Sequence, residues 1–176
     1  VLVDLSIVSD VKDALEKLIP LVKKADRSPW IEKMQEWKKL RGDEKQGAAP
    51  LRPYDIVTKA CDLTDKETIY VTDVGQHQMF AAQFVELTQK KRLLMSGGLG
   101  TMGYGLPGAI GAKIGNPDTP VISISGDGGM QMNIQELATA VLEELPIISC
   151  IFNNSNLGMV RQWQKLFYGK RYSMTC

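Results

Sequence analysis

The spacing of apolar and polar positions divides the chain into two stretches of different character. From Asp10 to about Ala25, apolar residues recur at Val11, Leu15, Leu18 and Val22, which is one face of an α-helix. Ser28-Pro29 reads as an N-cap and a first-turn proline, predicting a second helix to about Leu40. Trp30, Met34 and Trp37 share a face of it and are expected to pack. Arg41–Arg52, with Gly42, Gly47 and Pro50, predicts a linker, and Pro53 opens a short helix to about Cys61. Beyond it, short β-rich runs appear at 68–72 (TIYVT), 92–95 (RLLM), 120–125 (PVISIS) and 146–152 (PIISCIF). Helical patterns occupy 76–87, 106–114, 133–145 and 157–167. Nearly continuous apolar strands alternating with helices predict an α/β fold, a parallel sheet with helices on both faces.

Composition narrows the partners. The 176 residues are 44% hydrophobic and 23% charged, with 21 basic against 20 acidic side chains. That is enough apolar material for a core of ordinary domain size. A net charge of +1 lacks the basic excess that nucleic-acid binding requires. No run of 18 apolar residues is present, so no membrane span is expected. The first ten residues hold Asp4 and Asp10 and no basic segment, unlike a secretory signal. Cys61, Cys150 and Cys176 are odd in number and scattered without a CxxC, which reads as reduced thiols in a cytosolic-type compartment. The single histidine, His77, rules out a His-rich zinc site.

Eleven of the 16 glycines fall between Gly97 and Gly129, where the only charged residues are Lys113, Asp118 and Asp127. Such a segment suits close backbone approach to a ligand or another element. Gly126-Asp127-Gly128 follows one predicted strand and Asn153-Asn154 follows the next, with 24 residues intervening (129–152). Parallel strands joined by one helix place both at the same carboxyl edge, where open α/β sheets bind ligands. A carboxylate, an amide oxygen and main-chain carbonyls form a hard-oxygen set suited to Mg²⁺, whose octahedron is completed by phosphate oxygens. The glycines beside Asp127 allow a diphosphate to approach backbone N–H groups at the following helix.

This spacing resembles the magnesium-diphosphate motif of thiamine-diphosphate enzymes. GQHQMFAAQ (75–83), SGGLGTMGYGLPGAIGAK (96–113) and NLGMVRQWQKLFY (156–168) resemble, more narrowly, the catalytic subunits of the acetohydroxyacid synthase family. The resemblance implies that residues 1–50 are the end of a middle domain with its connecting helices and linker. Residues 51–176 would be the diphosphate domain of the thiamine-diphosphate-binding fold, incomplete at its carboxy end. It implies Mg²⁺ ligands at Asp127, Asn154 and the main-chain carbonyl of Asn156, a position that is often acidic in other members. Gly75, Gln76 and His77, with Gly128 and Gly129, match diphosphate positions, and Gly158 belongs to the same cofactor set. Gly100 matches the carbonyl that receives the 4′-amino group, and Met102 the bulky residue wedged between the two rings. Met159 and Trp163 match the substrate side, the tryptophan favouring 2-ketobutyrate as second substrate.

The implied activity is decarboxylation of pyruvate and carboligation to a second 2-ketoacid in branched-chain amino-acid biosynthesis. The implied cofactors are thiamine diphosphate, Mg²⁺ and, held mostly by a part preceding Val1, FAD. No catalytic residue is expected in this chain, because the activating glutamate belongs to a pyrimidine-binding domain that matches no segment here. A closing segment is expected beyond Cys176, so the chain is read as a fragment carrying the Mg-diphosphate half-site and inactive alone. A homodimer or higher homo-oligomer and a regulatory small subunit are the implied partners, in a bacterial cytoplasm or a eukaryotic organelle.

Other readings compete. Gly98-x-Gly100-x-x-Gly103 between a strand and a helix mimics the dinucleotide fingerprint, with Asp127 at the end of the next strand, so a Rossmann oxidoreductase is the runner-up. Another thiamine-diphosphate-dependent 2-ketoacid decarboxylase, or a non-catalytic scaffold, would keep the same fold. Residue by residue, His77 could serve only its own loop, Met102 the core, and Trp163 packing with Val160 and Phe167. Glu136 looks like a catalytic acid but reads as structural.

Overall fold

The computed structural model describes residues 2–40, 51–88 and 92–176. Two units separate at Val1–Ala48 and Ala49–Cys176. In the first, helix α1 (Val11–Leu18) opens on Asp10, whose carboxylate accepts the Lys12 N–H at 2.9 Å. It stops well short of the predicted Ala25. Pro20 has no N–H to continue the ladder, so Ile19–Leu21 tightens into a 3-10 turn and Val22 is extended. Helix α2 spans Ser28–Leu40, and the Asp26 carboxylate accepts the Ser28 N–H at 2.9 Å. Trp30 and Trp37 meet edge to face at 5.7 Å but both stay half exposed, so the expected packing face has no core beneath it among the described residues. Most of the predicted linker, residues 41–50, lies outside the described residues.

The second unit is built on four parallel strands in the order β2-β1-β3-β4: β1 (Ile69–Thr72), β2 (Arg92–Met95), β3 (Val121–Gly126) and β4 (Ile148–Phe152). Helix α3 (Pro53–Leu63) precedes β1, α4 (Gln76–Phe84) joins β1 to β2, and α5 (Gly105–Gly115) joins β2 to β3. Alternation along the strands feeds two cores. Tyr70, Ile122 and Ile124 pack against Val57, Ala81 and Val85 of the α3–α4 layer. On the opposite face, Ile69, Val71 and Val121 meet Ala109 and Ala112 of α5. The small side chains of α5 let it lie close on the sheet, with Gly108 against Val71 and Tyr104. Strand β4 is barer, with Ile148 and Ile151 half exposed. No helix among the described residues is long and apolar enough to cross a membrane, and the three cysteines are free.

The connection from β3 to β4 departs from the expected single helix over 133–145. Helix α6 (Asp127–Met132) begins on the residue after β3; a 3-10 turn (Ile134–Glu136) and α7 (Leu137–Leu142) follow. The break falls at Asn133, whose backbone leaves helical geometry (φ −131°, ψ 29°) while its side chain bonds the Gly103 carbonyl. Helix α7 ends three residues early because Glu144 turns left-handed at φ 51°. The Leu145 N–H then bonds the Ala140 carbonyl at 2.8 Å and the Glu144 N–H the Val141 carbonyl at 3.1 Å. Leu145 and Ala140 share a core cluster, so this is a Schellman closure made with glutamate in the usual glycine position. Helix α8 (Gly158–Phe167) follows β4 and contains no fully buried residue.

The uneven burial predicts uneven mutational cost. Ile124→Ala, in the core at 1% exposure, should destabilise by about 2–5 kcal/mol in urea unfolding. Ile148→Ala, on β4 at 59% exposure, should cost less than about 1 kcal/mol.

Candidate functional site

The chain leaves β1 through α4 to reach β2 on one side, then crosses back through α5 to reach β3 on the other. The strand order therefore reverses between β1 and β3, and an α/β sheet opens a crevice at the carboxyl ends of such a pair. A cavity of about 680 Å³ occupies that place. Register sets its walls. Thr72 lies opposite Ile124, so Asp73 and Val74 leave β1 beside the end of β3. Gly126 lies opposite Phe152, so Asp127 and Asn153 leave β3 and β4 at one level.

The structure brings together nearly all the residues singled out from the sequence. Gly75, Gln76 and His77 reach the cavity from the start of α4; Gly100 and Met102 from the turn before α5. Asp127, Gly128 and Gly129 come from the start of α6, and Asn154, Asn156, Gly158 and Met159 from the loop after β4 and the first turn of α8. Trp163 is the exception. It lies one helical turn beyond Met159, 57% exposed, with its ring 5.1 Å from Phe167 and outside the cavity wall. Glu136 also stays outside, accepting the Thr139 hydroxyl at 3.1 Å, as its structural reading expects.

The polar floor is held by short local bonds. Asn154 Oδ1 accepts the Asn156 N–H at 3.0 Å, the Asn156 amide donates back to the Asn154 carbonyl at 2.6 Å, and Arg161 donates to Asn156 Oδ1 at 2.5 Å. An amide oxygen with one bond keeps a second lone pair for a ligand. Gln76 reaches across to Gln162 of α8, its Nε2 donating at 2.8 Å. A Cβ on Gly158 would run into Gln76 Oε1 and lie 2.9 Å from Asn154 Nδ2, so only glycine leaves room for both amides. Gly75, at φ 153°, lets the chain turn from β1 into α4 with His77 packed beneath it.

His77 is buried, and its Nε2 has no hydrogen-bond partner among the described residues although the ring lines the cavity. Burial holds its proton affinity below the ordinary value of 6.5, against opposing pulls from Asp73, including a hydrogen bond to the Asp73 main chain, and from the Asp127 charge. Orphaned buried polar atoms are uncommon and costly, and the ring that carries this one lines the cavity that Asp127 also borders. Among the described residues, no three His, Cys, Asp or Glu side chains gather as a metal site. The available donors are instead the Asp127 carboxylate, the Asn154 amide oxygen and main-chain carbonyls. These fit a hard, oxygen-seeking cation that shares its coordination with a ligand, and His77 borders the same cavity.

The residue that sequence reasoning missed is Asp73. It has no exposed surface. Its Oδ1 accepts the N–H groups of Val74 at 2.7 Å and Gly103 at 3.0 Å, and its Oδ2 accepts the Gly105 N–H at 2.8 Å. Helix α5 has no side-chain cap of its own, so Asp73 caps it from 32 residues away. Its only sequence signal is an aspartate directly after an apolar strand and two before a glycine. The same contacts dispose of the dinucleotide reading. The N–H groups of Gly103 and Gly105, at the start of α5, already face a buried carboxylate where that reading needs a diphosphate. The strand before that glycine turn, β2, is moreover the sheet edge and not the switch point.

A depressed histidine pKa carries a sign. Above 6.5 both folded and unfolded chains hold neutral imidazole; below it the unfolded chain takes up a proton more readily than the folded one. Without added metal, stability should therefore fall as pH drops from 6.5 toward the folded pKa, by at most about 1.4 kcal/mol per pH unit from this group. In urea unfolding across pH, the difference between the parent and His77→Gln isolates that slope. Parallel profiles would contradict the assigned environment.

Comparison with known proteins agrees with this geometry. The profile of the family described as "Thiamine pyrophosphate enzyme, C-terminal TPP binding domain" matches residues 73–176. Acetolactate synthase of Mycobacterium leprae is 44% identical over 98% of the chain and 29% of its own length. The acetolactate synthase large subunit of Corynebacterium glutamicum is also 44% identical, over 98% of the chain and 29% of its length. A probable acetolactate synthase large subunit of Methanocaldococcus jannaschii is 44% identical over 97% of the chain and 30% of its length. The chain thus spans about 30% of the length of these curated relatives. With the matched segment running from the end of β1 through α8 and covering every wall of the cavity beyond α3, the chain belongs to the thiamine pyrophosphate enzyme family through its C-terminal TPP-binding domain.

Proposed function

We propose that the cavity holds thiamine diphosphate through Mg²⁺, and that the chain is the diphosphate-binding segment of an acetolactate synthase. The observation that carries this reading is the convergence of Asp127 and Asn154, from the ends of adjacent parallel strands, on one cavity also lined by His77, whose buried Nε2 has no partner among the described residues. In it Asp127, the Asn154 side chain and the Asn156 main-chain carbonyl bind the cation. Gln76, His77 and the backbone at Gly75, Gly128 and Gly129 receive the diphosphate. Gly158 keeps the Gln76 and Asn154 amides within reach of it. Gly100 and Met102 face the organic part. Bound thiamine diphosphate supplies the electron sink that 2-ketoacid decarboxylation requires.

The relatives' printed name, acetolactate synthase, supports pyruvate as donor and as acceptor; in this reading 2-ketobutyrate is a second acceptor and Met159 lies on the substrate side. Trp163 reaches that side only if α8 turns or shifts from its present place. The carboxylate that activates the aminopyrimidine comes, in this reading, from a separate segment. FAD is likewise held chiefly elsewhere, in a homodimer or larger homo-oligomer that accepts a regulatory small subunit. This chain's residues therefore bind and orient, and the chain alone has little or no carboligase activity.

Calorimetric titration of the chain with thiamine diphosphate tests the reading. Binding should require Mg²⁺ and weaken about tenfold or more in Asp127→Ala, because a charged ligand to the cation is lost. A folded parent without Mg²⁺-dependent binding would overturn the half-site, and equally tight NADH binding would favour the dinucleotide reading. Robust pyruvate carboligation by the chain alone would contradict the division of labour.

A further inference from the structure

Resting on that reading, we infer that Asp73 and Asn133 are positioning residues: they clamp the Gly100–Gly105 turn from opposite sides and so set the apolar wall that meets the ligand's ring portion. The clamp acts on both polarities of one peptide segment. Asp73 accepts the N–H groups of Gly103 and Gly105, and Asn133 Nδ2 donates to the Gly103 carbonyl at 2.8 Å. Gly103, at φ 86°, has no room for a Cβ, which would lie 2.6 Å from Asn133 Nδ2. The turn is thus wedged as well as bonded.

The side chain that the turn presents to the cavity, Met102, is apolar. Met102 is half-buried in the wall, its terminal methyl 3.8 Å from the Cβ position of Gly128, where Leu157 Cδ2 also closes in at 3.0 Å. The polar floor made by Asp127, His77 and Asn154 belongs to other segments. Asp73 also touches that floor from behind, because a Cβ on Gly129 would collide with its carboxylate. One buried carboxylate therefore fixes the spacing between a wall suited to a ring and a floor suited to phosphates. Asn133 is where the β3–β4 helix breaks, and the break frees its side chain to reach Gly103.

The division between wall and floor supplies a test that a general loss of structure would not mimic. The parent, Asp73→Asn and Asn133→Ala are titrated with Mg²⁺-thiamine diphosphate and with Mg²⁺-pyrophosphate, which has no ring. Asp73→Asn keeps the size but sets an amide donor against a backbone N–H. It should weaken thiamine diphosphate about tenfold or more and change pyrophosphate by less than about twofold. Asn133→Ala, which disturbs no buried charge, should shift thiamine diphosphate in the same direction by about threefold or more. In the ligand-free parent, the Gly103 and Gly105 amides should exchange with solvent far more slowly than exposed loop amides. Equal losses for both ligands, no loss for either, or a parent that binds the two equally tightly would overturn the positioning role. If Asp73→Asn does not fold, Asn133→Ala and the amide exchange decide. A parent that binds neither ligand contradicts the proposed function, while fast exchange at Gly103 and Gly105 separately contradicts the clamp.

Discussion

A carboxylate without solvent contact is tolerated only where hydrogen bonds replace its water, and Asp73 meets that demand with three backbone N–H groups. Those groups belong to two separate stretches, the exit from β1 and the turn into α5, while Gly129 of α6 closes against the carboxylate from a third. The register of β1 against β3 places Asp73 beside the carboxyl end of β3. Strand, turn and helix start are thereby tied at one point behind the cavity. The ligand-facing residues lie on loops and on the first turns of α4, α6 and α8, yet their positions follow from this buried junction and from parallel strands that end nearly together.

That arrangement explains how a chain with a net charge of +1 can be built for a phosphate ligand. Among the described residues, the polar floor has no lysine. Asp127 and Asn154 suit an intervening cation, and His77 is buried with an idle Nε2. Neutral imidazole, favoured by burial, brings no positive charge into the core. The cost of burying polar groups is met by the ligand the cavity is shaped to receive, which is the logic of a preformed site.

The fold was largely legible because its strands announce themselves. RLLM forms β2 with the expected bounds, and the other three strands differ by no more than two residues at either end. The misses share a cause, a local pattern overridden by a distant partner or a backbone exception. The helix expected over 133–145 instead begins at Asp127 and breaks at Asn133, whose side chain bonds Gly103, 30 residues away. Glu144 adopts a left-handed turn that composition reserves for glycine. The site was legible through GDG and NN because each sits at a strand end, where sequence adjacency already fixes place in space. Asp73 also sits at a strand end, yet its partners are defined only by the fold, so nothing adjacent in sequence reveals its work. Trp163 shows the converse: its place on α8 was clear, but not the orientation of the helix, which no buried residue anchors.

In the proposed function, the first turn of α6 after β3 and the loop after β4 hold one cation between them. Replacing Mg²⁺ with Mn²⁺ in the presence of thiamine diphosphate and following backbone amide signals by nuclear magnetic resonance tests this directly, because a paramagnetic ion broadens signals of nearby nuclei. The account predicts simultaneous broadening at Asp127–Gly129 and Asn153–Asn156, with the distant residues of β2 and the end of α5 unaffected. Broadening confined to one of the two segments, or centred on Gly98–Gly103, would contradict it.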